Sequence, residues 1–157
     1  MIILLAALLP SLAPQGTDWP QWRGPTRDGV WMESGVTTSL PDVITPRWST
    51  QIGSGYCGPT VADGRVYVMD RLDEAKEIER VHCLDWQTGK ILWNYEYDCS
   101  YAGVSYRAGP RCSVLIDDGF AYSLGTMGNL LCFDAKTGEV VWQHDLNKTY
   151  EIDMPIW

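Results

Sequence analysis

The chain is 157 residues long, 45% hydrophobic and 20% charged, which is ordinary globular composition for one domain with a buried core. Its formal charge is -8, from 12 basic and 20 acidic side chains. With no run of Lys or Arg, it lacks the counterion release that drives nucleic-acid affinity and is repelled by anionic lipid, which argues against both as partners.

The first residues carry an apolar run from Ile2 to Leu9, then Pro10 and small side chains. This reads as a secretory signal over residues 1–16. It is too short to span a bilayer, which takes about 20 apolar residues. No Cys follows the run at a lipidation position, the first being Cys57. The expectation is an exported protein of the periplasm or cell envelope. Residues 17–45, including DWPQWRGPTRDG at 18–29, are rich in Pro, Gly and Arg. They read as an N-terminal clasp over the domain, with Arg23 and Arg27 as the alternative contacts to a ligand.

From residue 46 the chain repeats itself. VHCLDWQTGKILW at 81–93 returns as LLCFDAKTGEVVW at 130–142, an offset of 49. Each copy opens on Asp-Gly, in ADGRVYVMD at 62–70 and DDGFAYSLG at 117–125, followed by a run of β-branched and aromatic residues. Asp-Gly tolerates positive φ, so each predicts a hairpin entering a strand. A second strand follows, RVHCLD or NLLCFD, and then Asp-x-x-Thr-Gly. In that turn the Asp carboxylate accepts backbone N–H groups, Thr adds a hydroxyl bond and Gly takes the left-handed position. Asp85, Thr88 and Gly89 in the first copy, and Asp134, Thr137 and Gly138 in the second, are therefore structural. The last strand carries Trp93 or Trp142, read as a spacer between adjacent sheets.

The stretch RLDEAKEIER at 71–80 reads as a connection longer than its counterpart TMGN at 126–129. Trp48 stands 45 residues before Trp93 and reads as the end of a third, incomplete copy; YEIDMPIW at 150–157 reads as the start of another. No segment sustains a 3.6-residue period, so the chain is all β. A unit of about four strands at this period is a propeller blade, which buries its faces only by stacking on neighbours.

Five Cys invite a disulfide reading. Cys83 and Cys132 occupy equivalent places in stacked sheets about 10 Å apart, beyond the reach of about 7 Å that a disulfide needs, and should stay unbridged. Cys99 with Cys112, or Cys57 with Cys112, are the remaining pairings. His82 and His144 have no second ligand at metal spacing and read as strand histidines; no nucleophile elbow or phosphate loop is present, and the site reading is catalytic none, metal none. The connection EYDCSYAGVSYRAGPR at 96–111 gathers Tyr97, Tyr101, Tyr106, Arg107 and Arg111. Tyr with Arg is the composition that anchors interfaces, so Tyr101, Tyr106, Arg107 and Arg111 form a candidate recognition loop, the alternative being a loop packed on itself.

With Gly-x-x-Gly-x-Leu-x-Cys-x-Asp-x-x-Thr-Gly-x-x-x-Trp spelled out from Gly125 to Trp142, the sequence resembles the pyrroloquinoline-quinone-like (PQQ-like) β-propeller repeat family. The resemblance implies antiparallel four-stranded blades. Family propellers close with about seven or eight blades, whereas residues 46–157 supply two to three, an incomplete propeller. The remaining blades would come from a longer chain or from self-assembly. The resemblance also implies a protein or small-molecule partner at the propeller face and a non-catalytic scaffold of the envelope, similar to factors that assist outer-membrane assembly. The alternatives it implies are a quinone-dependent dehydrogenase fragment or the sensor propeller of a kinase-linked protein. PQQ is implied as a cofactor by the resemblance alone: dehydrogenases of the family hold it with calcium ligands and a vicinal Cys pair, and no adjacent cysteines occur here.

Overall fold

The computed structural model describes residues 18–35 and 37–152. The signal segment at 1–16 and the end of the chain from 153 lie outside the described residues. Eight strands form two separate antiparallel sheets in simple up-and-down order. The first holds β1 (Thr60–Ala62), β2 (Arg65–Asp73), β3 (Glu77–Asp85) and β4 (Ile91–Asp98); the second holds β5 (Leu115–Asp117), β6 (Phe120–Leu124), β7 (Asn129–Asp134) and β8 (Val140–Asp145). Two blades of an incomplete propeller are thus present.

The turns form as their chemistry dictates. Asp63-Gly64 and Asp118-Gly119 all have positive φ and close the two-residue loops β1–β2 and β5–β6, the backbone that type I′ hairpins require. At the next turn Asp85 Oδ1 accepts from the N–H of Gln87 (3.1 Å) and Thr88 (2.8 Å) and from the Thr88 hydroxyl (2.7 Å). Asp134 Oδ1 accepts from the N–H of Lys136 (2.9 Å) and Thr137 (2.7 Å). Both turns close with the Gly N–H on the Asp carbonyl, at 2.8 and 2.9 Å. Both sheets also break register at the same place, between Cys83 and Leu84 and between Cys132 and Phe133.

The core lies between the sheets. Tyr67, Cys83 and Trp93 form one cross-strand row of the first sheet and, with Met69, Val81 and Tyr95, face Ala121, Leu131 and Phe133 of the second. Trp93 packs on Phe133 with ring centroids 5.6 Å apart, and its Nε1–H donates to the carbonyl of Ala135 at 3.1 Å. Its indole lies on Gly138, where an added Cβ would sit 2.5 Å from Trp93 Cδ2. Trp48 repeats this contact one unit earlier: its indole covers Gly89 and its Nε1–H donates to Trp86 O at 2.9 Å. The segment around Trp48 is not itself a strand. The equivalent row of the second sheet, Tyr122, Cys132 and Trp142, faces away from the core, and Trp142 is 39% exposed.

Residues 18–24 staple the inner strands together. Trp19 pairs with Val61 of β1 through two backbone bonds, while Pro20 O accepts from Ile116 N–H of β5 at 2.8 Å. Arg23 and Arg27 are spent on the turn itself, bonding Asp28 O and Gln21 Oε1.

One expectation is corrected. Residues 71–80 are not a connection: β2 and β3 extend through them, leaving a turn of three residues, Glu74 to Lys76. Their charges pair across the ladder, Asp70 opposite Arg80 and Arg71 opposite Glu79, so a charged hairpin reads as a loop. A short helix, α1 (Leu146–Tyr150), follows β8, capped by Asp145 accepting from Lys148 N–H at 3.0 Å; most of the predicted further unit at 150–157 lies outside the described residues.

Gly138 and Gly119 share a φ of +77° and +79°, yet only Gly138 has an indole over it. Gly119→Ala should cost about 1 kcal/mol, the penalty of a Cβ in left-handed backbone. Gly138→Ala should cost about 2 kcal/mol more through overpacking. Urea unfolding of the two variants measures the difference; equal losses would remove the indole contact as a determinant of the fold.

Candidate functional site

The segment from Cys99 to Val114 must carry the chain from the outer strand of the first sheet to the inner strand of the second. Two carboxylates of β3 hold it. Glu79 is fully buried and accepts from the hydroxyls of Tyr97 (2.5 Å) and Tyr101 and from Thr126 N–H of the second sheet (3.0 Å). Burial, reinforced by the charge and hydrogen bonding of Glu79, pushes both tyrosine pKa values up, so the hydroxyls stay protonated as donors. Glu77 accepts from Tyr101 N–H (3.0 Å), Arg71 (2.5 Å) and Arg107 (2.6 Å). Arg71 also lies over the Tyr101 ring, 4.3 Å from its centroid, and donates to Arg107 O at 2.6 Å.

The four residues of the predicted recognition loop therefore separate. Tyr101 is fully buried and serves as the loop's anchor. Tyr106, 63% exposed, and Arg107, with half its side chain in solvent, stand outward. Arg111 donates to the carbonyls of Gly109 and Tyr106 and lies 5.3 Å from the ring centroid of Tyr56, itself 52% exposed. Among the described residues Arg111 has no carboxylate partner. The outcome is a patch of Tyr56, Tyr106, Arg107 and Arg111, with two aromatic rings and the Arg107 guanidinium exposed and the Arg111 guanidinium half-buried against the loop carbonyls.

Sequence reasoning missed Tyr56, Arg71, Glu77 and Glu79. No local signal marks them, since Glu77 and Glu79 sit in a charged stretch whose pairing is visible only in the register. The turn residues Asp85, Thr88, Gly89, Asp134, Thr137 and Gly138 lie at the opposite end of the strands, away from this patch.

A second buried cluster lies on the other face of the first sheet. Asp70 takes a bidentate pair from Arg80 (2.8 and 2.5 Å) and Gly53 N–H (2.5 Å), and His82 Nε2 lies 3.1 Å away without hydrogen-bond geometry. Burial pulls its pKa up, but His82, Arg80 and Gly53 together outweigh it and hold the carboxyl well below the usual range. His144 stacks on Trp142 at 5.5 Å beside a cleft of ≈ 300 Å³ that Tyr97, Asn129 and Gln143 also line.

These groups do not suit a calcium–quinone pair. Glu79 and Asp70 have their oxygens filled by protein donors, no cysteines are adjacent, and no three His, Cys, Asp or Glu side chains among the described residues converge to hold a cation. No helix of the described residues is long and apolar enough to cross a membrane.

The model of the family described as outer membrane protein assembly factor BamB matches residues 45–154. No curated protein matches the chain. Among solved structures, a europium-containing methanol dehydrogenase is similar at 22% identity over 62% of this chain and 17% of its own, with a TM-score of 0.48. A quinohemoprotein alcohol dehydrogenase of Pseudomonas putida HK5 is similar at 28% identity over 61% and 14%, TM-score 0.47. BamB of Moraxella catarrhalis is similar at 20% identity over 62% and 26%, TM-score 0.43. The chain thus spans between 14% and 26% of the length of these structures.

The Tyr101 N–H and the two arginines hold the Glu77 carboxyl down to about 2 from 4.5. A depressed carboxylate stabilises the fold above its unfolded pKa, and that stability is lost as pH falls through the folded one. The Tyr101 amide proton should therefore titrate with a midpoint near pH 2, and Tm should fall between pH 4.5 and 2. In Glu77→Gln the acid titration of the amide should vanish; a midpoint near 4.5 in the parent chain would contradict the arrangement.

Proposed function

The chain belongs to the family of PQQ-like propeller repeats described as outer membrane protein assembly factor BamB, and on that premise we propose that it is a non-catalytic binding or scaffolding propeller unit of the bacterial cell envelope. The observation that carries this is the loop patch. It is fixed from beneath by Glu77 and Glu79, while Tyr56, Tyr106 and Arg107 are presented to solvent beside the half-buried Arg111. Tyr and Arg on a pre-ordered backbone give up little conformational entropy on binding, which is what interface anchors require. The net charge of -8 leaves this cationic aromatic spot in an acidic surround, favouring a protein segment with carboxylate and apolar groups over a polyanion. The outward row of half-buried Tyr122 and exposed Trp142 supports a second element of the reading, a seat for a further blade supplied by a longer chain or another copy. Export through the apolar segment at 1–16 completes it.

A photo-crosslinking side chain placed at Tyr106 of the full chain in intact envelopes should give a discrete protein adduct, and one at Lys136, at the opposite end of the strands, should not. Tyr106→Ala and Arg107→Ala should each weaken binding of the adducted partner by about tenfold, the scale of an interface anchor, with Tm unchanged in Tyr106→Ala and lowered in Arg107→Ala, which loses its pair with Glu77. Dye reduction by the purified chain with an alcohol, calcium and PQQ would instead favour the dehydrogenase reading. Equal adducts from both positions would remove the patch from the proposal.

A further inference from the structure

Cys57 and Cys112 each stand three residues before an inner strand, β1 and β5. Unlike Cys83 and Cys132 in the middle of the two sheets, they lie where the sheets converge: β1 and β5 bring Cα atoms within 8 Å of one another. The two segments run alongside each other. The N–H groups of Tyr56 and Cys57 both donate to Pro110 O, at 2.9 and 3.1 Å. A Cβ on Gly58 would sit 3.7 Å from Ser113 Oγ, and one on Gly55 3.8 Å from Pro110 Cδ. The segments carrying the two cysteines are thus in direct contact on both sides of Cys57, the kind of close approach that a disulfide, with Cα atoms within about 7 Å, needs.

We infer that Cys57 and Cys112 are a disulfide-forming pair that covalently joins the inner strands of the two blades when the chain meets a thiol-oxidising partner. In the structure both are thiols, Cys112 exposed and Cys57 half-buried, with Cys57 Sγ donating to Met69 O at 3.0 Å. Cys112 is therefore the thiol an external disulfide reaches first. Its thiolate attacks one sulfur of the oxidant, releasing one thiolate and leaving a mixed disulfide. Rotation of Cys57 about χ1 breaks its weak bond to Met69 O; its thiolate then attacks the Cys112 sulfur and expels the second thiolate. Two protons leave the cysteines and two electrons pass to the oxidant. Burial pushes both thiol pKa values up, Glu79 adding to that of Cys112 and Asp70 and Cys112 to that of Cys57. The reaction is accordingly slow at neutral pH and accelerates as the thiolate forms. Cys99 is the competing partner, but it is buried beneath the loop, with its pKa pushed up to about 12 by burial and Glu79.

The test is equilibration of the folded full chain with oxidised glutathione at pH 8, followed by thiol titration and non-reducing peptide mapping. The titre should fall from five to three, with one peptide linking Cys57 to Cys112, and the rate should rise about tenfold from pH 7 to pH 8, in proportion to thiolate. Cys112→Ser should form no internal link. A chain that keeps all five thiols or takes up glutathione without an internal link overturns the inference, as does a map joining Cys99 to Cys112. These readouts concern the thiols alone and stand apart from whether the loop patch binds a partner.

Discussion

The indole of Trp93 lying on Gly138 is the contact on which the arrangement of the two sheets depends. A ring of that size between sheets buries more apolar surface than any other side chain there could, but its N–H must find an acceptor. Ala135 O supplies one at 3.1 Å, and that carbonyl is available because the Asp-x-x-Thr-Gly turn points it out of the ladder. The same turn leaves a glycine where any Cβ would collide with the ring. Turn and indole are thus two halves of one joint, located in successive units, which is the physical reason they recur together. Trp48 on Gly89 makes the joint at one side of the first sheet and Trp93 on Gly138 at the other; Trp142 offers the donor half again.

Polar burial follows from the way the sheets converge. A carboxylate left unpaired inside a protein costs several kcal/mol, and removing one partner of a buried pair costs about 3–5. Glu79 and Asp70 avoid this by having every oxygen engaged, from two tyrosine hydroxyls and a backbone N–H in one case, from arginine and a glycine N–H in the other. Such clusters accept few alternative geometries, so they fix the path of the loop more tightly than apolar packing would. Tyr106 and Arg107 consequently project from a backbone that has already given up its freedom.

The repeat was legible because each of its parts has a short-range cause. Asp-Gly demands positive φ, Asp-x-x-Thr-Gly closes on its own carboxylate, and alternation sorts Tyr67, Cys83 and Trp93 onto one face. What was not legible depends on partners distant in sequence. Residues 71–80 look solvated because their charges are satisfied across the ladder, by pairings that a linear reading cannot see. Tyr101 and Tyr106 have the same residue type in the same loop, yet one is the anchor and the other the exposed ring, a distinction made by Glu79 twenty-two residues earlier in the chain. Helix α1 is too short to leave a period and is set by the Asp145 cap.

The candidate face arises where the repeat is broken, and its departures fit one another. The first unit lengthens its β2–β3 hairpin, bringing Arg71, Glu77 and Glu79 into play; it also lengthens its exit, bringing Tyr101 and Arg107. The second unit keeps the corresponding hairpin short, and its turn at Gly125 and Thr126 passes directly over Glu79. A Cβ at Gly125 would strike both Glu79 Oε2 and Tyr97 Oη, so a side chain there would displace the hydrogen-bonded pair. A longer second hairpin would cover the loop, and a shorter first one would leave it without its carboxylates. The joint between Trp93 and Gly138 stacks the two sheets, and with the sheets so stacked the turn of the second hairpin reaches Glu79 of the first.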